Sequence, residues 1–237
     1  MGHAVTATVG TRQDCDIIAG LDACAGEFDY PVYSDPNEFT GEADVIVDFS
    51  NPSFSPTLLG FALDRKLPAV IATTGLSSDQ INAMHKAAET IPVFFSANMS
   101  LGINLMLELA KKAAAVLGNS FDIEIVEMHH NRKVDAPSGT ALMIADAVSS
   151  ALPEEPQYVY DRHSVRRERA KNEIGIHSLR GGTVVGEHEI VFAGNDEVLK
   201  ISHSAMSRQI FANGAVNAAM FLCDKKPGFY GMSDLIS

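Results

Sequence analysis

Residues 122–148, DIEIVEMHHNRKVDAPSGTALMIADAV, predict a strand, a loop and a helix in direct succession. The run from Asp122 to Met128 alternates polar with apolar side chains and is rich in isoleucine and valine, which indicates a strand with one buried face. From Ala141 to Val148 apolar residues recur at helical spacing, and Ser138 is a good N-cap for that helix. The polar residues between these elements therefore lie where the chain leaves a sheet.

Four side chains that can carry a positive charge fall at this strand end: His129, His130, Arg132 and Lys133. On extended backbone the two histidines point in opposite directions, so one can face reacting atoms while the other contacts another part of a ligand. Histidine also gives or takes a proton near neutrality. The chain as a whole has a formal net charge of -12. A local cationic site on an acidic protein indicates a small anionic substrate handled by acid/base chemistry.

The predicted helix start adds a second anion-binding feature. The N–H groups of Gly139 and Thr140 would point out of the helix, where hydrogen bonds and the helix dipole favour a carboxylate or a phosphate. Gly139 leaves room for close approach of a ligand. Asp135, in the preceding loop, can pair with Lys133 or with Arg132. Each feature alone is common on protein surfaces, but their combination on one strand–loop–helix favours a functional site.

Other chemistries fit the same residues less well. The two histidines have no metal-ligand partner at helical spacing, so we expect no metal site. Cys15, Cys24 and Cys223 form no CxxC pair. Ser138 stands in APSGT rather than in a GxSxG turn, which argues against a serine hydrolase.

Composition narrows the class of protein further. The chain has 237 residues, of which 46% are hydrophobic, enough for one large or two small domains. Its three scattered cysteines and the lack of a signal sequence indicate the cytoplasm. Charged residues interrupt every apolar run, so we expect no membrane span. A pI near 5.0 argues against nucleic acid as a partner.

The first hundred residues alternate predicted strands with predicted helices, which indicates a βαβ series with a parallel sheet. A short helix at Ala4–Arg12 precedes them. The expected strands are residues 17–21, 45–49, 69–73 and 93–96, and the expected helices between them are residues 56–65 and 78–89.

Ligands of such sheets bind at the carboxyl ends of the strands. Asp22 follows the first of these strands, where an acidic residue can bond the ribose of a dinucleotide; a simple turn aspartate is the alternative. Residues 23–25 supply no arginine for a 2′-phosphate, which favours NADH over NADPH.

The second half predicts two strands within residues 174–193, joined through Arg180-Gly181-Gly182, and another at residues 197–202. With the strand at residues 122–128 they indicate a separate mixed sheet. A helix over residues 211–223 follows. We therefore expect an α/β fold with two domains, one of residues 1–100 and 210–237 and the other of residues 101–209.

Taken together, the motifs resemble those of the 4-hydroxy-tetrahydrodipicolinate reductase (dihydrodipicolinate reductase) family over the whole chain. The most specific motif is Glu127-x-His129-His130-x-x-Lys133-x-Asp135-Ala136-Pro137-Ser138-Gly139-Thr140-Ala141. Supporting motifs are Asp48-Phe49-Ser50, Thr73-Thr74-Gly75, Asn98-Met99-Ser100, Arg180-Gly181-Gly182, Val185-Gly186-Glu187-His188 and Ser207-Arg208.

This resemblance implies a nicotinamide-dependent reduction of a cyclic, unsaturated dicarboxylate, on the route to lysine and diaminopimelate. It implies a Rossmann-like dinucleotide domain, a substrate domain with a mixed sheet, and a homotetramer built through that second sheet. By position, the implied roles are an acid/base residue (His129), a proton donor (Lys133), substrate binding (His130, Ser138, Gly139, Thr140), a ribose contact (Asp22) and the nicotinamide side (Ala72, Thr73, Thr74, Ser96, Ala97, Asn98, Met99).

Two departures from the family pattern stand out. Position 72 is alanine where the family has glycine. Met1-Gly2 matches the end of the family's G-x-x-G-[RK]-M-G loop, so the first strand and most of that phosphate-binding loop are missing by comparison. In a doubly wound sheet this strand is central, and we expect its loss to leave a gap between its neighbours.

Two readings of that start remain. Either the sequence begins at an internal methionine of a longer chain, which we favour, or the protein lacks the loop. In the second case it would be a cofactor-deficient homologue that only binds a dicarboxylate, or a non-catalytic subunit.

Overall fold

A computed structural model of the chain describes residues 1–23 and 28–236. The helices are α1 (Gly2–Val9), α2 (Ser55–Arg65), α3 (Ser78–Ala87), α4 (Leu101–Leu117), α5 (Gly139–Ser149), α6 (Gln209–Cys223) and α7 (Met232–Ile236). The strands are β1 (Gly20–Leu21), β2 (Val32–Tyr33), β3 (Ile46–Asp48), β4 (Ala69–Ile71), β5 (Pro92–Phe95), β6 (Asp122–His129), β7 (Gln157–Val159), β8 (Glu173–Arg180), β9 (Gly186–Ala193), β10 (Val198–Ala205) and β11 (Gly228–Tyr230). None of these helices is long and apolar enough to span a bilayer.

The chain divides into two compact units. The first consists of Met1–Leu101 and the segment from Gln209 onward, and the second is Gly102–Arg208. The α/β fold class expected from the sequence is confirmed, because one unit contains a parallel sheet and the other a mixed sheet.

The first unit is built on a four-stranded parallel sheet in the order β11-β5-β4-β3. Residues from α2 and α3 form a core with strand residues such as Ile71 and Val93, and α6 forms a second core with Val70 and Phe94. Alternate residues of the central strands thus enter different cores, so both faces of the sheet are covered. This explains why β4 and β5 are continuous apolar runs in the sequence.

The start of the chain differs from its prediction in detail. Helix α1 ends at Val9 rather than Arg12, since the N–H of Gly10 and that of Thr11 bond back to Thr6 and Thr8 and close the last turn. Of the strand expected at residues 17–21, only Gly20–Leu21 is paired, in a two-stranded parallel sheet with β2. Cys24 lies outside the described residues.

The β1–β2 sheet and the four-stranded sheet are separate, and β3 is an edge strand of the latter. Strand β11, which the sequence did not predict, pairs with β5 and forms the opposite edge.

A close backbone approach fixes the position of α6 in the first unit. A Cβ added at Gly214 would lie 1.7 Å from the carbonyl oxygen of Met99, so α6 can pack here only through a glycine. The side chain of Thr8 bonds Asn213, the neighbour of that glycine, and thereby ties α1 to α6.

The second unit is a five-stranded mixed sheet in the order β10-β9-β6-β8-β7. Strand β6 pairs with β8 in parallel and with β9 in antiparallel orientation. Residues of α4 and α5 pack against isoleucines of the sheet's inner face. Helix α4 was not predicted, although Ile103, Met106, Ala110 and Ala114 recur on its buried side.

The inner face of this sheet changes character along the strands. Two rows of apolar residues cross it, Ile174-Ile123-Phe192-Leu199 and Ile176-Ile125-Ile190-Ile201. Next along the strands comes a polar row, Ser178-Glu127-His188-His203. Beyond it, Arg180 lies opposite His129, and Gly186 lies opposite Ala205. The polar rows coincide with the end of β6 that the sequence marked as a site.

We expect Gly214→Ala to lower the free energy of unfolding by about 1–3 kcal/mol, because the added methyl group meets the Met99 carbonyl. Gly60→Ala is the matched control, since Gly60 lies exposed inside α2 with open space around its Cβ position. There the better helix propensity of alanine should raise stability by up to about 1 kcal/mol. Urea unfolding of both variants is the measurement, and shifts of the same sign would contradict the expectation.

Candidate active site

A buried carboxylate lies at the centre of the polar rows. Glu127 is fully buried, with 0% of its surface exposed, on the face of β6 that also carries Ile123 and Ile125. A buried charge is stable only when it is paired and hydrogen-bonded. The partners of Glu127 therefore define the site.

The Glu127 carboxylate has hydrogen bonds with four groups: Arg180, the backbone N–H of Ser138, His129 and the side chain of Ser178. Arg180 donates two bonds of 2.8 Å, one to each oxygen, and the backbone N–H of Ser138 donates one of 3.2 Å to Oε1. Nδ1 of His129 lies 2.6 Å from Oε2. Burial raises the pKa of Glu127, but the bonds from Arg180, Ser178 and His129 outweigh it and lower the pKa to about 2. Glu127 is therefore ionised near neutrality.

The ionised Glu127 determines the tautomer of His129. A carboxylate without a proton can only accept, so Nδ1 of His129 must carry the hydrogen of their shared bond. This leaves Nε2 as the nitrogen that can take up or release a proton. A Cβ at Gly186 would lie 3.0 Å from Nε2, so the glycine provides space beside the ring. His129 itself is 9% exposed.

Ser138 connects the helix start to a second buried histidine. Its hydroxyl accepts a bond of 3.1 Å from the N–H of Ala141 and so caps α5, as the sequence predicted. The same hydroxyl lies 3.0 Å from Nε2 of His188, whose ring packs edge-on against His129. Burial lowers the pKa of His188 to about 4, and electrostatic interaction with His129 adds to this effect. His188 is therefore neutral at pH 7.

The loop after β6 holds Lys133 close to the same cluster. Its ammonium group pairs with Asp135 at 2.8 Å, so of the two partners considered for that carboxylate the structure shows lysine rather than Arg132. The hydrogen bond from Lys133 lowers the pKa of Asp135. The carbonyl of Asp135 accepts a bond of 2.6 Å from Arg180. The Lys133 loop and the Glu127–His129 pair thus share one arginine.

The remaining substrate-side residues lie around this cluster. His130 follows the last residue of β6 and is half-buried, and its Nδ1 has no hydrogen-bond partner in the described residues. Gly139 begins α5, is exposed and has open space at its Cβ position. Thr140 is half-buried in the first turn of the helix. A ligand can therefore approach the backbone of this helix start closely.

The structure also identifies residues that had no assigned role in the sequence prediction. Glu127, Arg180 and His188 all lay within quoted motifs, yet only the sheet register brings them next to His129. Strand alternation could have found Glu127, because it is two residues before His129 and so shares its face. Nothing local in the sequence places Arg180 or His188 beside it.

The residues expected on the cofactor side all belong to the first unit. Asp22 follows β1, and the others follow β4 or β5. Thr73 is buried and donates a bond of 2.9 Å to Asp48, whose other oxygen accepts the N–H of Ser50. Ser96 bonds the carbonyl of Asn98 at 2.8 Å. These bonds fix the backbone of the segments that follow three adjacent strands, at the carboxyl ends of those strands.

The other members of that set differ in exposure. Thr74 and Ala97 are exposed at the same edge, whereas Met99 is buried against α6. Ala72, which departs from the family's glycine, packs in the core with Phe94. Asp22 follows β1, in the separate two-stranded sheet, and is exposed.

No cluster of three or more histidine, cysteine or acidic side chains within residues 1–23 and 28–236 is arranged to hold a metal ion.

Family comparisons match nearly the entire chain. A model of the N-terminal part of dihydrodipicolinate reductase matches residues 1–99, and a model of its C-terminal part matches residues 102–236. The junction between the two models falls where the two compact units meet in the sequence.

Individual relatives agree with the family models. A 4-hydroxy-tetrahydrodipicolinate reductase of Caldanaerobacter subterraneus is 53% identical over 236 residues, which cover 100% of this chain and 94% of the relative. The enzyme of that name from Clostridium tetani is 43% identical, with 100% and 93% coverage. A solved dihydrodipicolinate reductase from Paenisporosarcina sp. TG-14, with dipicolinate bound, superposes with a TM-score of 0.83 at 26% identity, covering 98% of this chain and 94% of that one.

The low pKa of His188 makes stability depend on pH. Because its folded-state pKa of about 4 lies below the ordinary value of 6.5, the unfolded chain takes up a proton that the folded chain does not. Stability should therefore fall as the pH drops from about 6.5 through about 4, by up to about 3 kcal/mol at about 1.4 kcal/mol per pKa unit. Charges of His129, His203 and Lys133 act in the same direction, and that of Glu127 opposes them.

Urea unfolding across this pH range measures the effect. His188→Gln keeps a polar partner for Ser138 but does not titrate, so its stability should fall less than that of the wild type. His163→Gln, which replaces an exposed histidine of the same unit, is the control and should follow the wild type. Parallel curves for wild type and His188→Gln would contradict the assignment.

Proposed function

The chain belongs to the dihydrodipicolinate reductase family, and we propose that it reduces 4-hydroxy-tetrahydrodipicolinate to tetrahydrodipicolinate with NADH or NADPH, in lysine and diaminopimelate biosynthesis. The structural observation that supports this most directly is the Glu127–His129 pair, which lies on one strand–loop–helix with Lys133 and the α5 helix start. These are the groups that a dianionic substrate requiring a proton would use.

Substrate binding is proposed for the start of α5 and for His130. The Paenisporosarcina relative holds dipicolinate, a planar dicarboxylate. In this chain the backbone N–H groups of Gly139 and Thr140 would donate hydrogen bonds to one carboxylate, and the helix dipole would favour its negative charge. His130 would contact the second. Ser138 would act through its backbone and its cap, because its hydroxyl is buried and already bonded to Ala141 and His188.

Proton transfer is proposed for His129 and Lys133. The 4-hydroxyl group of the substrate leaves as water, and a reduced nicotinamide, when bound, supplies a hydride to the conjugated C=N system that results. That addition leaves negative charge, which a cationic group offsets and a proton donor neutralises. The ammonium group of Lys133 would donate that proton, and Nε2 of His129 would do so when the imidazole ring is protonated. Glu127 keeps the His129 ring oriented, and Asp135 holds Lys133.

Residues of the first unit fit a dinucleotide. Thr74 and Gly75 are exposed after β4, and Gly75 has φ of 77°, a conformation that glycine adopts without strain. Helix α1 has no acidic residue in its first turn, and Gly2 has open space around it, which suits a phosphate. Asp22 would bond the adenosine ribose, and its neighbours supply no arginine for a 2′-phosphate. We therefore propose NADH as the preferred cofactor.

The two units would divide the work. Met1–Leu101 with the segment from Gln209 onward is proposed as the dinucleotide-binding domain, and Gly102–Arg208 as the substrate-binding and oligomerisation domain. The outer face of the mixed sheet carries Leu179 and Val198, which are 49% and 58% exposed. Such residues support a homotetramer formed through this sheet. We also propose the cytoplasm as its location, which the three scattered cysteines favour. Sedimentation of the purified chain would test the assembly.

The function is tested by two measurements on one protein preparation. Oxidation of NADH in the presence of 4-hydroxy-tetrahydrodipicolinate, followed by nicotinamide absorbance, reports reduction. Calorimetric titration with dipicolinate reports binding at the substrate site alone. We expect both signals. Binding without turnover would favour the alternative of a dicarboxylate-binding homologue, and neither signal would contradict the proposal.

Lys133→Ala should lower kcat by about 10²- to 10⁴-fold, the usual contribution of a positioned acid or base. Its effect on the Kd for NADH should be small, because the lysine belongs to the substrate-binding unit. Steady-state kinetics and NADH fluorescence titration measure the two quantities. Lys111→Ala is the matched control, since Lys111 also forms a 2.8 Å ion pair, with Glu108 on α4. A Lys133→Ala enzyme with near-normal turnover would remove this lysine from the mechanism.

A further inference from the structure

Arg180 forms hydrogen bonds with several parts of the site at once, more than contact with a substrate alone would require. It is the last residue of β8 and lies directly opposite His129 in the sheet. Its side chain is 20% exposed. The guanidinium points along the inner face, where it contacts both the strand end and the loop that follows β6.

The four terminal N–H groups of Arg180 are matched by four acceptors. Nη1 donates to Oε2 of Glu127 at 2.8 Å and to the carbonyl of Leu179 at 2.7 Å. Nη2 donates to Oε1 of Glu127 at 2.8 Å and to the carbonyl of Asp135 at 2.6 Å. Only Nε is without a partner among the described residues, and it is buried. The terminal groups are thus committed to the protein rather than to a ligand.

The contact between Arg180 and Glu127 affects His129. The two-bond contact holds both oxygens of Glu127, which is the geometry at which arginine surpasses other cations. With Glu127 fixed and ionised, His129 keeps its hydrogen on Nδ1 and presents Nε2. A bond to the far nitrogen of a histidine is how proteins select its tautomer.

The contact between Arg180 and Asp135 affects Lys133. The carbonyl that Nη2 contacts belongs to Asp135, and the side chain of Asp135 pairs with Lys133 at 2.8 Å. The same guanidinium therefore positions the strand that carries His129 and the loop that carries Lys133.

We propose that Arg180 is a positioning residue of the reductase, which selects the tautomer of His129 through Glu127 and fixes the Lys133 loop through Asp135. The expected effect on turnover rests on the proposed function, whereas the expected effect on the His129 tautomer does not. A lysine at this position would keep the charge and lose the simultaneous contacts, since its three donors lie on one nitrogen.

The variants are Arg180→Lys and Arg180→Gln in the full chain. Arg169→Gln is the matched control: Arg169 also holds a carboxylate of β6, Glu124, at 2.9 Å, and has further bonds to Asp122 and to backbone carbonyls. Glu124 lies on the opposite face of the strand. Arg180→Lys retains a cation beside Glu127 and provides a folded variant if Arg180→Gln does not fold.

The first readout is the tautomer of His129, from nitrogen-15 NMR of labelled imidazole rings, which needs no turnover. We expect a single Nδ1–H form in the wild type and in Arg169→Gln, and a mixture of both tautomers in the Arg180 variants. An unchanged Nδ1–H form in the Arg180 variants would overturn the proposal. If the wild type shows no reductase activity, this readout decides the inference independently of the proposed function.

The second readout is kinetic. We expect kcat to fall about tenfold to a hundredfold in the Arg180 variants, less than the roughly 10²- to 10⁴-fold contribution of a complete acid or base, with dipicolinate affinity changed by less than about threefold. The pH profile of kcat/KM should shift. The charged or titratable groups beside His129 are Glu127 on its own strand, Arg180 on β8 and His188 on β9, and Lys133 lies in the loop that follows β6. A loss seen only in dipicolinate affinity would show direct substrate binding and overturn the positioning role.

Additivity gives the final check. Because the part of the Arg180 effect that acts through Glu127 is already lost in Glu127→Gln, the double variant Glu127→Gln with Arg180→Gln should lose less activity than the product of the two single losses. Losses that multiply would show that the two residues act separately, which contradicts the proposal.

Discussion

The burial of one negative charge organises the second unit. Glu127 has none of its surface exposed, so the structure must surround it with donors or leave it unpaired at a large free-energy cost. Those donors come from Arg180 on β8, Ser138 at the start of α5 and His129 on the same strand. The register of the sheet, the position of the helix and the orientation of the histidine are thus all set by one requirement.

The first unit depends on a different constraint, which is backbone proximity. Gly214 lets α6 pack directly against the carbonyl of Met99, at the end of the segment that follows β5. Asp48 then ties the turn after β3 to Thr73 after β4. The carboxyl ends of neighbouring parallel strands are thus held together by short polar contacts.

Local patterns explain why much of this was predictable. Alternation along residues 122–128 and the cap at Ser138 are local in sequence, so the strand, the helix and the histidines at their junction could be located from the sequence alone. The roles of Arg180 and His188 could not, because they depend on which strands pair with β6 and in which register. Strand β11 was missed for a similar reason: three residues form a strand only because β5 offers an edge. The opposite case is the strand expected at residues 17–21. Its apolar sequence predicted a longer strand, but only Gly20 and Leu21 pair with a neighbouring strand, β2.

The order of the strands has a consequence for how the protein is made. Both neighbours of β6 come later in the chain, and Arg180 lies 53 positions after Glu127. During synthesis β6 therefore leaves the ribosome before Arg180 can pair with Glu127 and before either of its edges has a partner strand. Non-local pairing of this kind is slow to form and leaves strand edges exposed in the interval. The diagnostic motif is complete by residue 141, but the chemistry it encodes cannot exist until the ribosome has passed residue 193.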